Sequence, residues 1–204
     1  MSSVTSRRVW DIHGGIHPEE NKYQSNQLPI ADAGIAEDLV FPLSQHIGTP
    51  AEAIVAAGQK VLKGEMIAAA KGFVSVPVHA STSGQVIAIE ARQIPHPSGM
   101  TAPCVIIKPD GKDQWIEHQG INDYRSVDKK ELLSIIREAG IAGMGGAGFP
   151  SAVKLATRDD RVIETLILNG TECEPYITAD DVLMRERADQ IIAGAKILQY
   201  LISP

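Results

Sequence analysis

The sequence predicts an α+β chain of two domains: a β-rich barrel or sandwich over residues 1–122, then an α/β domain over 123–204 that lacks most of its sheet. Three observations carry this. Short apolar runs punctuated by Gly and Pro fill the chain as far as about Lys112. The pattern then changes, from Val127, to apolar residues at helical spacing. Between two of the expected helices lies a loop holding five glycines between Gly140 and Gly148.

The expected strands are Val61-Leu62, Met66 to Ala69, Phe73 to His79, Gln85 to Ile89 and Cys104 to Lys108. Gly58, Gly64, Gly72, Gly84 and Gly99 separate them, with Pro77, Pro95, Pro97 and Pro103. Close spacing of short strands points to a small barrel or sandwich. Aromatics make up 4% of the chain, so its core must be built from Val, Ile, Leu and Ala.

Val127 to Ala139 places Leu132, Leu133, Ile135, Ile136 and Ala139 on one helical face. Asp128 is its N-cap with Glu131 three residues on, and Gly140 ends it. A helix near Ser151 to Thr157, a buried-type strand at Thr165 to Leu168 and a polar loop at Asn169 to Thr178 follow. A last helix, Ala179 to Leu201, is expected to bend near Gly194. Its final apolar run, Ile197 to Ile202, has no element after it to pack on, and one strand cannot form a sheet. The second domain is therefore expected to be incomplete at Pro204, and the uncovered face to promote self-association.

Composition excludes several functions. With 25 acidic against 19 basic residues the net charge is -6, and no basic cluster stands out, which argues against nucleic-acid binding. Two arginines near the start are followed by no apolar run, so no secretory signal is read there. No stretch approaches the roughly 18 apolar residues of a membrane span. Cys104 and Cys173 form no CxxC pair and cannot by themselves hold a cluster or a zinc, which takes about four ligands. His79, His96 and His118 show no metal-ligand spacing, and His13 and His17, flanking Gly14-Gly15, are read as surface residues. No metal site and no catalytic residue is assigned.

Gly143-Met144-Gly145-Gly146-Ala147-Gly148 satisfies G-x-G-x-x-G. Closely spaced glycines let backbone N–H groups approach phosphate oxygens, and a helix beginning just afterwards adds its positive end. A helix rather than a strand runs into this loop, so the Rossmann context is missing. The alternative is a tight turn whose glycines allow close packing. Their density favours a ligand, because a turn needs one or two and each extra glycine costs about 0.5–1 kcal/mol of conformational entropy. In the acidic loop, Asn169 offers a donor and an acceptor for a heterocycle edge, and Glu172 and Glu174 offer acceptors for ribose hydroxyls or a carboxamide. The alternative there is a solvated turn capped by Asn169. Cys173 sits between two carboxylates that would raise its thiol pKa, and it is read as incidental.

Taken together, Gly140, Gly143, Gly145, Gly146, Ala147, Gly148, Phe149, Pro150 and Lys154, followed by Asn169, Glu172, Glu174 and Pro175, resemble the flavin-binding subunit of respiratory complex I. Gly14-Gly15-Ile16-His17-Pro18, Pro42 to Gly48, Pro77 to Gly84 and Glu172 to Asp181 resemble the RnfC protein of the Rnf-type ion-translocating electron-transport complexes. The resemblance covers nearly the whole chain. It implies FMN and NAD(H) as cofactors, with Gly143, Gly145, Gly146 and Gly148 lining them. Lys154 would meet the FMN phosphate, Asn169 the flavin ring, and Phe149 with Glu174 the NADH side, Glu172 also contacting cofactor. It implies two 4Fe–4S clusters beyond Pro204, other subunits of a membrane complex as partners, and a peripheral place on the cytoplasmic face of the bacterial inner membrane. The chain departs from the complex I pattern at Met144, where that protein has arginine, and at Thr171, where it has an acidic residue. An assembly module without catalysis and a cobalamin-reductase-like flavoprotein are the competing readings. No cofactor is expected to bind this stretch tightly by itself.

Val61 to Glu65 and Ala80 to Val86 resemble the two halves of a biotinyl/lipoyl-type barrel-sandwich. The carrier lysine of such modules sits at a hairpin tip, which falls near Phe73 here. Lys71 is out of register, so a structural or docking module is expected rather than a carrier.

Overall fold

A computed structural model describes residues 13–16, 18–146, 148–156 and 162–202. They fall into two compact units, one taken from Met1–Ile30 and Gly170–Glu186, the other from Ala31–Asn169 and Arg187–Pro204.

The larger unit contains seven strands: β1 (Leu39–Pro42), β2 (Glu52–Ala53), β3 (Lys60–Val61), β4 (Met66–Ala69), β5 (Val78–His79), β6 (Gly84–Gln93) and β7 (Thr101–Pro109). They form a four-stranded sheet in the order β1-β7-β6-β3 and a three-stranded sheet in the order β2-β4-β5. Every pairing between these strands is antiparallel. The long β6–β7 hairpin aligns Gly84 with Pro109 and Gln93 with Thr101, with one register shift between Val86 and Ala88. Between the sheets lie Leu43, Val55, Val61, Ile67, Ala68, Val78, Val86, Val105 and Ile107. Ile67, Val86, Val105 and Ile107 have no exposed surface, and burial of each contributes roughly 1.5–3 kcal/mol. The core is aliphatic, as the scarcity of aromatics requires, and the β-rich barrel-sandwich read from the sequence is the fold.

The differences are local. β1 and β2 have no counterpart among the strands expected from sequence; β2 is only two residues long, too short to show alternation. β1 ends on Pro42 at a sheet edge, where a missing N–H breaks no interior ladder. The expected strand at Phe73 to His79 shortens to Val78–His79. Lys71 lies in the exposed turn after β4, with Nζ 3.1 Å from Glu52 Oε2.

Polar contacts fasten the 110–114 loop to the barrel. Asp113 pairs with Lys63 Nζ at 2.7 Å and accepts from Thr82 Oγ1 at 2.8 Å. Asp110 accepts from the Lys112 N–H at 2.9 Å and from Ser83 Oγ at 2.7 Å. The Lys63 partner, then Thr82, hold the Asp113 carboxyl below the ordinary aspartate value, and the Lys112 N–H, then Ser83, do the same for Asp110. A carboxyl whose pKa is depressed by folding stabilises the fold above its unfolded pKa and loses that contribution as pH falls through the folded value. The melting temperature of the barrel is therefore expected to be level near neutrality and to fall once the pH drops below the ordinary aspartate range. Asp113→Asn should lower the plateau and flatten this slope, both read by circular-dichroism melts across acid pH.

The rest of this unit is helical. α1 (Lys129–Glu138) starts at Asp128, whose side chain accepts from the Lys130 N–H at 2.9 Å. It ends before Gly140, which has φ +71°. α2 (Ser151–Leu155) is short, and the expected end at Thr157 lies outside the described residues. Thr165 to Leu168 forms no strand: no neighbour supplies ladder partners, and Ile167 remains 79% exposed. The expected long helix is two, α3 (Ala179–Glu186) and α4 (Ala188–Ile202), separated by a bend at Arg187. Gly194 lies inside α4 without breaking it, because a single helical Gly costs only about 1 kcal/mol against Ala. Nor is the last apolar run uncovered. Leu201 is buried with Leu132, Ile136 and Ala152, and Ile197 and Tyr200 pack on that cluster. The expectation of an unpartnered apolar face there is corrected: α1 and α2 cover it.

In the smaller unit, the stretch from Glu20 to Ile30 binds the 174–186 region. Lys22 Nζ donates to the Glu174 and Ile177 carbonyls, at 2.8 Å each. The Tyr176 N–H donates to the Glu20 carbonyl at 2.9 Å, and Ser25 Oγ donates to the Tyr176 carbonyl. The Ile30 N–H donates to the Glu186 carboxylate at 3.1 Å. Among the described residues no helix is long and apolar enough to cross a membrane.

Candidate functional site

The glycine loop is a hairpin. The Gly143 N–H donates to the Phe149 carbonyl at 2.8 Å and the Ser151 N–H to the Ile141 carbonyl at 2.9 Å, so Ala142 and Pro150 face each other as an isolated bridge. Its glycines divide into two groups. At Gly140 an added Cβ would lie 2.7 Å from the Pro77 carbonyl oxygen, and at Gly148 2.8 Å from that of Gln45. Both have positive φ, +71° and +65°. These two are glycine because the hairpin sits directly on barrel backbone, a seat completed by the Ile47 N–H donating to the Gly148 carbonyl at 3.2 Å.

Gly145 and Gly146 are different. An added Cβ at either meets nothing within 4 Å. Packing thus explains the outer glycines and leaves the inner pair facing open space, where backbone is accessible to a ligand. Ala147, between Gly146 and Gly148, lies outside the described residues. Met144, at the tip, is 95% exposed. Phe149 is half-buried, and Lys154 holds its ammonium 5.7 Å from the Phe149 ring centroid. α2, which carries Lys154, has five residues, too few to add much helix dipole.

A cleft of about 700 Å³ opens between this hairpin and the barrel, lined by Phe41, His46, His79, Gly143, Met144 and Gly146 among others. Cofactor pockets fall in this size range. His46 is buried; its Nε2 accepts from the Val76 N–H at 3.2 Å, so Nδ1 carries the proton donated to the Ile47 carbonyl at 2.8 Å. His46 thereby orders the strand of backbone on which Gly148 rests. Burial pushes the His79 imidazole below its ordinary pKa, against the opposing hydrogen bond and charge of Glu138. No spacing in the sequence marks His79 for a site, yet it lines this cleft, because β5 ends beside the C-terminus of α1. His17, paired with His13 in the sequence reading, lies outside the described residues.

Of the remaining predicted residues, Asn169 is exposed and belongs to the larger unit, whereas Glu172 and Glu174 belong to the smaller. Glu172 Oε1 accepts from the N–H groups of Asp180 and Asp181, at 2.7 and 3.1 Å, and so caps α3. That leaves its Oε2 as the acceptor for anything else. Glu174 is exposed, and so is Cys173, while Cys104 is buried. Sequence reasoning missed Lys22, Ser25 and the left-handed Tyr176, φ +67°, because their partners lie about 150 residues away along the chain. Among the described residues no group of three or more His, Cys, Asp or Glu is placed to hold a metal.

Known proteins share both the barrel and the hairpin. The family profile described as the RnfC barrel sandwich hybrid domain matches residues 10–112, half the chain. The chain belongs to the RnfC family. A second profile, the Nuo51 FMN-binding domain, matches residues 136–204, which include the glycine hairpin and the acidic loop. The C protein of the ion-translocating oxidoreductase complex of Vibrio cholerae is 47% identical over 204 residues, covering 100% of this chain and 26% of that protein. The protein of the same name from Serratia proteamaculans is 51% identical over 197 residues, 97% of this chain and 28% of that one. Its Pectobacterium atrosepticum namesake is 50% identical over 204 residues, 100% of this chain and 29% of that one. This RnfC-family chain thus spans between about a quarter and a third of the curated relatives it matches.

Proposed function

We propose that the chain serves in the electron-input subunit of a membrane-associated, ion-translocating oxidoreductase complex, where a barrel-sandwich module (residues 1–122) supports the first part of an FMN- and NAD(H)-binding domain (residues 123–204). The observation that carries this is the open space at Gly145 and Gly146 on a hairpin whose other tight glycines are explained by packing. The match to an FMN-binding domain supports the choice of ligand. Gly143, Gly145, Gly146 and Gly148 are the backbone cradle, Lys154 the cation for the FMN phosphate, and Asn169 the partner of the ring edge. Phe149, Glu172 and Glu174 are assigned to the nucleotide side. With Met144 in place of an arginine, Lys154 carries the positive charge of the site. FMN, when bound, supplies two-electron exchange with NADH and one-electron exchange with iron–sulfur centres. The protein's part is to bind, orient and exclude water. The partners are the other subunits, the 4Fe–4S clusters are carried outside this chain, and the location is the cytoplasmic face of the membrane.

The competing reading is an assembly module without cofactor. In the purified complex containing this chain, flavin absorbance stoichiometric with the chain and bleached by NADH is the expected result. Absence of flavin from a folded, assembled complex would establish the assembly role instead. The 204-residue chain alone is expected to bind FMN weakly and to sustain no NADH oxidation, read by quenching of FMN fluorescence on titration.

A further inference from the structure

We infer that Lys22 is a positioning residue for the acidic loop: by clamping the carbonyls on either side of Tyr176 it holds that residue left-handed and thereby aims Glu174. This rests on the assignment of Glu174 to the nucleotide side. Four contacts converge on the four residues from Glu174 to Ile177. Lys22 Nζ donates to the Glu174 and Ile177 carbonyls at 2.8 Å each. Ser25 Oγ donates to the Tyr176 carbonyl, and the Tyr176 N–H donates to the Glu20 carbonyl at 2.9 Å. They enclose a residue at φ +67°, which a tyrosine adopts only when its surroundings impose it. A non-glycine residue in that region is uncommon, and such conformations collect at binding sites.

The chemistry suits a clamp. An ammonium has three donors on a compact charge, so it bridges two carbonyls without the planar geometry a guanidinium demands. Both bonds go to backbone, and what they fix is the path of the chain rather than a side chain. The Glu174 carboxylate stays exposed and uncommitted by the clamp, since it is its carbonyl that Lys22 holds. Glu172 is tied separately, as the cap of α3. One end of the acidic loop is thus set by a helix terminus and the other by Lys22, with Cys173 between.

The test compares Lys22→Met, Tyr176→Gly and the double variant with wild type by hydrogen exchange of the 174–178 amides, which needs no cofactor. Glycine adopts positive φ freely and does not need the clamp. Lys22→Met should speed exchange across this segment at least tenfold, the equivalent of losing about 1.4 kcal/mol of local stability. The double variant should recover most of the protection. In the assembled complex, Lys22→Met should raise the KM for NADH roughly tenfold with kcat and flavin content held, and the added Tyr176→Gly should bring it back. Unchanged exchange in Lys22→Met, or a double variant no better protected than the single one, overturns the inference. So does loss of the thermal transition in Lys22→Met, since Lys22 would then hold the unit together rather than aim one loop. A wild-type complex that fails to oxidise NADH refutes the functional assignment of Glu174 and leaves the exchange result to decide the clamp.

Discussion

Gly48→Ala and Gly84→Ala should each abolish or severely weaken the barrel fold. At Gly84 an added Cβ would sit 2.2 Å from the Lys108 carbonyl oxygen, within the β6–β7 hairpin. The obstacle is backbone in a paired strand, which cannot swing away as a side-chain tip can. At Gly48 the same 2.2 Å contact is made with the Val74 carbonyl, and φ is +96°, so steric and conformational penalties add. Overpacking typically costs about 1–3 kcal/mol even where neighbours can yield; here they cannot. A loss of about 4 kcal/mol or more is expected, placing both among the exceptional substitutions. That equals a fall in melting temperature of roughly 10 °C or more. Gly58→Ala is the control, since its Cβ would meet nothing within 4 Å and only positive φ is at stake. Melts of the three variants should rank Gly58→Ala well above the other two.

Gly145→Ala should empty the flavin site while leaving the fold intact. Its added Cβ meets nothing within 4 Å, and its backbone is not in the left-handed region. Alanine is therefore accepted, and by restricting the unfolded chain it should even stabilise by about 0.4–1 kcal/mol. The methyl does, however, occupy the space through which a phosphate would approach the hairpin backbone. Flavin affinity in the assembled complex is expected to fall ~10-fold or more, the equivalent of about 1.4 kcal/mol. Gly146→Val should also lose flavin, but φ +140° there mixes strain with obstruction. Flavin per chain after gel filtration, set beside melting temperature, separates the two effects. A Gly145→Ala complex with wild-type flavin content would show that the inner glycines serve only the turn.

The parts of the fold legible in the sequence are those specified locally. Gly64, Gly72 and Gly84 mark real turns or strand starts, Met66 to Ala69 is a strand, and Asp128 with Gly140 brackets α1. What escaped was specified by distance. β1 is recognisable only through its pairing with β7, where Leu39 meets Ile107. The strand assigned to Thr165 to Leu168 has a strand's composition and no neighbour to pair with. The packing of Leu201 on Leu132 and Ile136 joins residues far apart in the chain, beyond any periodicity window. The site divides in the same way. The density of glycines was visible, but which of them serve packing and which face open space was not, because that depends on Pro77 and Gln45. Lys22 carried no local signal at all.

The seating of Gly140 on Pro77 and of Gly148 on Gln45 and His46 has a consequence for how this protein is inherited and cut. The two stretches recognised separately, 10–112 and 136–204, are not interchangeable parts. A crossover between them that paired one lineage's barrel with another's hairpin would have to preserve a backbone-to-backbone fit, with no side-chain play to absorb a mismatch. Selection on residues 45–46 and 77 is then coupled to selection on 140 and 148, although neither group needs to touch a ligand. The same logic governs dissection: residues 113–204 made without the barrel would carry the hairpin sequence but not the surface that gives it its shape.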